Sequence, residues 1–197
     1  MSTNEKIERK IKKLKAGSIL FSEDFRSLGS AGAIKVALHR LRKKGIIQQI
    51  AKGIYAKTKY SKLLKQNVLP TTEEVAKAIA KRDKARIIPT GAYAQNILGL
   101  STQVPLKLVY YTDGSPRTIK IGNRTIVFKK TTPKNLALKG KISKLVVQAL
   151  KDIGKDKATR QELEKIHKLL KQEDKSDLKY DISIAPQWIA ELMAKAL

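Results

Sequence analysis

Cysteine is absent from this chain of 197 residues, so neither a disulfide nor a thiolate metal site can form. The two histidines, His39 and His167, are far apart in sequence, and we expect no zinc or haem cofactor. No apolar run approaches the roughly 20 residues that span a bilayer. The opening MSTNEKIERKIKKLK lacks the apolar segment of a signal peptide. These absences predict a protein of the reducing cytoplasm that needs no cofactor and has no membrane partner.

Acidic residues are scarce as well, because 17 Asp and Glu stand against 42 Lys and Arg, a net charge of +25. Such an excess favours a polyanionic partner, whether DNA, RNA or an anionic membrane surface. The hydrophobic fraction of 42% still permits a buried core. The excess is concentrated at the start, since residues 1–65 hold 17 basic and 4 acidic residues. This gradient predicts an N-terminal polyanion-binding module and a C-terminal part with another role.

The first 60 residues show the pattern of three helices followed by a hairpin. Residues 4–15 place Ile7, Ile11 and Leu14 at helical spacing. Ser22 begins a short second helix, which ends near Gly29, and Ser30 caps a third. That third helix turns one apolar stripe inward and ends at Gly45, and the stripe consists of Ile34, Ala37, Leu38 and Leu41.

The hairpin follows at once, with β-prone runs at Ile46–Ile50 and Ile54–Lys57 joined through Ala51-Lys52-Gly53. Helix-turn-helix plus hairpin predicts a winged helix-turn-helix over residues 1–60. The polar, lysine-rich stretch 61–70 is predicted to be a linker that closes at Pro70.

The outward face of the third helix is the predicted DNA-binding surface. In helix-turn-helix proteins the start of this helix enters the major groove. Lys35 and His39 could reach base edges, and Val36 a thymine methyl, while the remaining basic residues suit phosphates. The predicted contacts are Ser30, Lys35, Val36, His39, Arg40, Arg42, Lys43 and Lys44, with Lys52 at the wing tip. The alternatives are a merely solvated basic helix and a hairpin that only closes the domain.

A second, mixed α+β domain is predicted over residues 71–197. Its pattern gives a helix over 73–82, a strand at Arg86–Ile88, a short helix at Ala92–Leu98 and a strand at Leu106–Thr112. A hairpin of Arg117–Ile121 and Arg124–Lys130 follows, and then helices near 141–152, 159–171 and 186–196. No nucleophile–base pair or phosphate-binding glycine motif is present, so we expect no enzyme.

Two segments resemble the AbiEi-type antitoxins of type IV toxin–antitoxin and abortive-infection systems. GIIQQIAKGIYAK (45–57) resembles their wing, and IIPTGAYAQNILGLSTQVP (87–105) resembles the start of their second domain. YTDGSPRTIKIGNRTIVFKK (111–130) continues the likeness, which covers roughly residues 1–140. The resemblance implies phage defence, repression of the protein's own operon through operator repeats, and a second domain that counters a nucleotidyltransferase-like toxin. It places the DNA-facing positions at Ser30, Lys35, His39, Arg42 and Lys52.

The sequence thus supports a DNA-binding antitoxin and transcriptional autorepressor that binds double-stranded DNA. The alternatives are a plain winged-helix regulator or an architectural DNA-binding protein without a toxin partner. An enzyme acting on nucleic acid would need metal-binding carboxylates, and residues 66–138 offer only Glu73, Glu74, Asp83 and Asp113. Either a dimer or two monomers bound to DNA repeats could supply the DNA-binding modules that an operator requires.

Overall fold

The computed structural model describes residues 2–197 and divides them into two compact units. The first comprises the chain up to Ala78 with Lys120–Gly122, and the second comprises Ile79–Ile119 with Asn123–Leu197. Both helices and strands occur, so the mixed α+β class predicted from the sequence is confirmed.

The first unit opens with helix α1 (Thr3–Lys12), whose start is fixed by a reciprocal cap. The Glu5 N–H donates to Ser2 Oγ at 3.3 Å, and the Ser2 N–H donates to Glu5 Oε2 at 2.8 Å. Ile7 and Ile11 are fully buried, as their spacing predicted. The helix therefore presents its lysines to solvent and its apolar stripe to the core of this unit.

A strand that the sequence analysis missed follows α1. Strand β1 (Ile19–Phe21) pairs antiparallel with β3 (Ile54–Lys57), and β2 (Ile47–Ala51) pairs with the other edge of β3. Three apolar residues are too few for periodicity to identify a strand. Pairing with β3 determines the conformation, and the sheet order is β1-β3-β2.

The middle of this unit consists of a 3₁₀ helix (Ser22–Leu28) and helix α2 (Ala31–Lys43), which packs its apolar stripe inward. The order α1, β1, 3₁₀ helix, α2, β2, β3 is that of a winged helix-turn-helix. The core of the unit draws on every one of these elements except β3, and its buried residues are Ile7, Ile11, Leu20, Phe25, Ile34, Ala37, Leu38, Leu41 and Ile47.

A short hairpin occupies most of the predicted linker 61–70. Strands β4 (Lys59–Ser61) and β5 (Gln66–Val68) pair antiparallel. The Leu64 N–H donates to Ser61 Oγ at 3.3 Å, and Lys65 takes the positive φ of 50° that closes the turn. The lysine-rich composition hid this pattern, because the strands are only three residues long and carry mostly polar side chains. Helix α3 (Thr72–Arg82) follows the hairpin and contains the boundary between the units.

The second unit contains a four-stranded sheet. Its strands are β6 (Ile87–Pro89), β7 (Lys107–Thr112), β8 (Arg117–Ile121) and β9 (Arg124–Lys130), in the order β6-β7-β9-β8, and the last two residues of β8 are counted with the first unit. Strand β7 pairs in parallel with β9 and antiparallel with β6. Helix α4 (Ala92–Ile97) places Tyr93 against Tyr110 of β7, with ring centroids 5.6 Å apart. The predicted bounds of β8 and β9 are confirmed.

The C-terminal helices are α5 (Ser143–Ile153), α6 (Arg160–Leu170), α7 (Lys175–Ile184) and α8 (Gln187–Ala194). Their apolar faces share one core with α4. Helix α7 was not predicted, because Leu178 is its one fully apolar buried position and Asp181 is also buried. Asp174 starts this helix by accepting the Ser176 and Asp177 N–H groups at 2.9 and 3.0 Å.

Two carboxylates hold the loop that precedes α5. Asp181 is fully buried and accepts from the Lys139 N–H at 2.8 Å, from the Gly140 N–H at 2.9 Å, and from the Ser143 hydroxyl. Glu173 accepts from the Ser143 N–H at 3.0 Å. Burial raises the pKa of Glu173, but the backbone N–H donors lower it further, so that the net pKa lies below its ordinary value. These bonds replace the missing side-chain cap of α5.

None of the helices within residues 2–197 is long and apolar enough to cross a membrane.

Candidate nucleic-acid interface

Helix α2 is the element around which the candidate interface is built. Ser30 caps its start by accepting the Ala33 N–H at 3.3 Å. Its end is marked by Gly45, whose φ of 69° is the left-handed conformation that suits glycine after a helix. The predicted inward stripe of Ile34, Ala37, Leu38 and Leu41 is confirmed, because all four side chains are buried. The opposite face is therefore fixed towards solvent.

The outward face of α2 combines small, apolar and basic residues. At 100° per residue, Gly32, Val36, His39 and Lys43 lie nearly opposite the buried stripe, and all are exposed. Lys35 flanks this line on one side and Arg40 on the other, and both are exposed. A Cβ placed on Gly32 would meet no atom within 4 Å, so the backbone at the start of the helix is open to approach.

The wing lies beside this face. Strands β2 and β3 turn through Lys52 and Gly53, and the φ of 74° at Gly53 permits the tight turn. The Lys52 side chain is exposed at the tip. Arg42 Nη1 donates to Gln49 Oε1 at 2.6 Å, which ties the end of α2 to strand β2.

A groove of about 700 Å³ runs between the 3₁₀ helix, the start of α2 and the wing. Ile34 and Leu38 of α2 contribute apolar lining, and Lys35 and Lys52 also line it. Glu23 and Arg26 of the 3₁₀ helix also line it and pair with each other at 3.4 Å. Sequence reasoning did not find this groove, because residues from three separate segments form it.

Several basic residues of the first unit bind its own atoms. Lys44 Nζ lies 3.7 Å from Glu8 Oε2, and Lys12 Nζ lies 2.8 Å from Glu8 Oε1. The hydrogen bond from Lys12, with a smaller contribution from Lys44, lowers the pKa of Glu8 below its ordinary value. Lys57 donates to the Lys12 and Leu14 carbonyls at 2.8 and 2.6 Å, so it caps the end of α1.

The other predicted contact residues differ in this respect. Within residues 2–197, no described atom pairs with or accepts a hydrogen bond from the side chains of Lys35, His39, Arg40, Lys43 and Lys52. The structure thus separates the nine predicted site residues into two groups. Ser30, Arg42 and Lys44 have internal bonds, whereas the five cationic or titratable side chains above and Val36 do not.

Residues 2–197 contain no cluster of three or more His, Asp or Glu side chains that could hold a metal ion. The surface offers cationic and hydrogen-bonding side chains on a helix, a groove and a wing tip.

Comparison with known proteins places the chain in one family. A family of unknown function (DUF6088) matches residues 6–178, and the chain belongs to it. No curated protein matches the chain.

Proposed function

We propose that this member of a family of unknown function is a DNA-binding transcriptional repressor that acts through α2 and the wing. One observation carries the proposal: Lys35, His39, Arg40 and Lys43 on the exposed face of α2 and Lys52 at the wing tip have no partner among the described residues 2–197. The same face begins at the open Gly32 and borders the groove beside the wing. Double-stranded DNA is the polyanion whose major groove admits one helix.

Each residue has a separate role in this proposal. Lys35 and His39 reach base edges from the second and third turns of α2, and Val36 contacts a thymine methyl. Arg40, Lys43 and Lys52 bind phosphates and supply affinity without sequence choice. Arg42 acts mainly through its bond to Gln49 of β2, and Ser30 and Lys44 contribute chiefly through the cap and the Glu8 pair.

The resemblance to AbiEi-type antitoxins supports a more specific version of this function. In that version the protein represses its own operon in the cytoplasm, and its second unit counters a nucleotidyltransferase-like toxin. A palindromic operator would place two copies of the first unit about 34–36 Å apart, one turn of DNA. A dimer or two monomers on operator repeats would satisfy that spacing.

A gel shift with the DNA upstream of the gene tests the DNA-binding function. Lys35→Ala with His39→Ala is expected to abolish preference for the upstream DNA over random DNA, because base readout is lost. Lys43→Ala is expected to weaken binding to the upstream DNA and to random DNA by similar factors, because a phosphate contact is lost. Lys168→Ala, on the exposed side of α6, is the matched control and should change neither. If the double variant retains its preference, another face reads the DNA.

Co-expression with the adjacent gene separates the antitoxin from a plain regulator. The adjacent product should arrest growth alone, and the full chain should restore growth. A plain regulator would bind the upstream DNA but would give no rescue.

A further inference from the structure

The outward side of α1 carries four cations around one shallow cleft. Lys6, Arg9, Lys10 and Lys13 are exposed, and among residues 2–197 they alone line this cleft of about 250 Å³. Their spacing of i, i+3, i+4 and i+7 places them on one side of the helix. These four residues are called the α1 ridge below. A cleft lined by charges of one sign concentrates their field and attracts anions.

The acidic residues of α1 have other partners. Glu5 takes part in the cap of the helix, and Glu8 pairs with Lys12 at 2.8 Å. Three members of the α1 ridge have no partner among the described residues 2–197, namely Lys6, Arg9 and Lys13. Their charges therefore remain for an anion from outside the chain.

The fourth member, Lys10, ties the α1 ridge to the 3₁₀ helix. Its Nζ donates to the Asp24 carbonyl at 2.7 Å and lies 5.3 Å from the centre of the Phe25 ring. Both contacts are with residues of the 3₁₀ helix that precedes α2. The α1 ridge therefore borders the helix-turn-helix.

The start of α1 also lies beside the start of α2. A Cβ placed on Gly29 would be 2.7 Å from the Thr3 side chain, so Thr3 packs against the turn that leads into α2. Thr3 and Lys6 are three residues apart and lie on the same side of α1. Under the proposed function the start of α2 enters the major groove. Phosphates at the edge of that groove would lie next to the Lys6 end of the α1 ridge.

Backbone phosphates fit the α1 ridge better than a protein or a bilayer does. All four members are basic, and the apolar Ile7 and Ile11 of α1 are fully buried. An acidic protein would find no apolar centre for an interface, and a bilayer would receive no apolar side chain. Phosphates need only cations, and those of one strand are about 3.4 Å apart along the DNA axis. The α1 ridge is about 10 Å long, so it can face two or three of them.

We infer that the α1 ridge binds backbone phosphates of the same duplex that α2 enters, through Lys6, Arg9 and Lys13. The inference rests on the DNA-binding part of the proposed function, and it extends the contact surface to a helix outside the helix-turn-helix and the wing. The contact supplies affinity and salt dependence but no sequence choice, because phosphates are the same at every base pair.

The test uses the full chain and the upstream DNA. The ridge variant combines Lys6→Gln, Arg9→Gln and Lys13→Gln. It removes three exposed charges and keeps good helix formers in α1, so urea unfolding should match wild type. Fluorescence anisotropy at several salt concentrations measures affinity. Ethylation interference identifies the phosphates whose charge is needed for binding.

The matched control removes the same charge from the second unit. It combines Lys168→Gln, Lys171→Gln and Lys179→Gln, at exposed positions of the C-terminal helices. Its salt slope and ethylation pattern should equal those of wild type. Equal losses of affinity in the control and the ridge variant would overturn the inference, because net charge alone would then explain both.

The ridge variant should bind the upstream DNA at least about tenfold more weakly than wild type at about 0.1 M salt. The slope of the logarithm of the binding constant against the logarithm of salt should be shallower by about 2–3. The ratio of affinities for upstream and random DNA should stay unchanged. Two or three phosphates whose ethylation weakens binding of wild type should lose that effect in the ridge variant.

Three results would contradict the inference in different ways. Equal salt slopes in wild type and the ridge variant, with preference for the upstream DNA retained, would overturn the phosphate contact and leave the proposed function intact. No binding of wild type to the upstream DNA would overturn the proposed function and the inference together. Binding to vesicles with anionic lipid that only the ridge variant loses, with its DNA affinity unchanged, would assign the α1 ridge to a membrane surface.

Discussion

Replacing Gly32 by glutamate separates the stability of α2 from its role in DNA binding. Gly32 is the second residue of the helix, it points outward, and a side chain there would meet no atom within 4 Å. Glutamate has better helix propensity than glycine by roughly 0.5–1 kcal/mol. A negative charge in the first turn adds about 0.3–1 kcal/mol. The free energy of unfolding should therefore rise by about 1 kcal/mol.

The same substitution should weaken DNA binding. If α2 enters the major groove, the new carboxylate would lie within about 5 Å of a phosphate, where repulsion costs about 1–2 kcal/mol at an effective dielectric constant between 80 and 40. Affinity for the upstream DNA should fall roughly tenfold, as each 1.4 kcal/mol is a factor of ten.

Urea unfolding and fluorescence anisotropy with labelled upstream DNA measure the two effects. Gln161→Glu is the matched control, because Gln161 is the exposed second residue of α6 and the charge change is similar. Its DNA affinity should change less than threefold. Equal losses of DNA affinity in Gly32→Glu and Gln161→Glu, or no loss of DNA affinity in Gly32→Glu, would refute the placement of α2 against DNA.

Three further predictions concern the second unit. Gly140→Ala should destabilise it by about 1–3 kcal/mol in urea unfolding, because a Cβ there would lie 2.6 Å from Glu173 Oε2. Asp181→Asn should cost about 3 kcal/mol by the same measurement, since an amide donor would face backbone donors in a buried site. Bonds from Arg86 lower the pKa of Asp113 below its ordinary value. The ionised carboxylate therefore stabilises the fold above a pH of about 4. This contribution is lost as the pH falls through the pKa of Asp113 in the folded protein. Asp113→Asn should therefore lower the melting temperature at pH 7. The variant should also lose less thermal stability than wild type between pH 7 and pH 3. A pH profile of the melting temperature that is the same in variant and wild type would contradict this.

Long periodic segments were predictable from the sequence. The inward stripe of α2, its end at Gly45 and the β8–β9 hairpin were identified because each depends on residues close together in the chain. Strand β1 could not be identified, since its pairing with β3 joins residues about 35 apart. Helix α7 was missed because one of its buried positions is an aspartate, which a hydrophobic pattern counts as exposed.

The candidate site was only partly predictable for the same reason. Exposure of Lys35, His39 and Lys43 follows from helical period, and the structure agrees with it. That Arg42 bonds to Gln49, or that Lys44 pairs with Glu8, depends on tertiary packing. Sequence reasoning therefore could not separate Arg42 and Lys44 from the basic residues of α2 that have no internal bond.

The salt dependence of DNA affinity tests the central claim most directly. Four basic side chains have no partner within residues 2–197 and are available to phosphates or base edges, namely Lys35, Arg40, Lys43 and Lys52. Through these four alone, the logarithm of the binding constant should fall against the logarithm of salt with a slope of roughly −3 to −4 for each copy bound. Lys43→Ala should reduce the slope by about 0.9, whereas Lys168→Ala should leave it unchanged. A slope near zero, or equal slopes in wild type and Lys43→Ala, would contradict binding of DNA through α2.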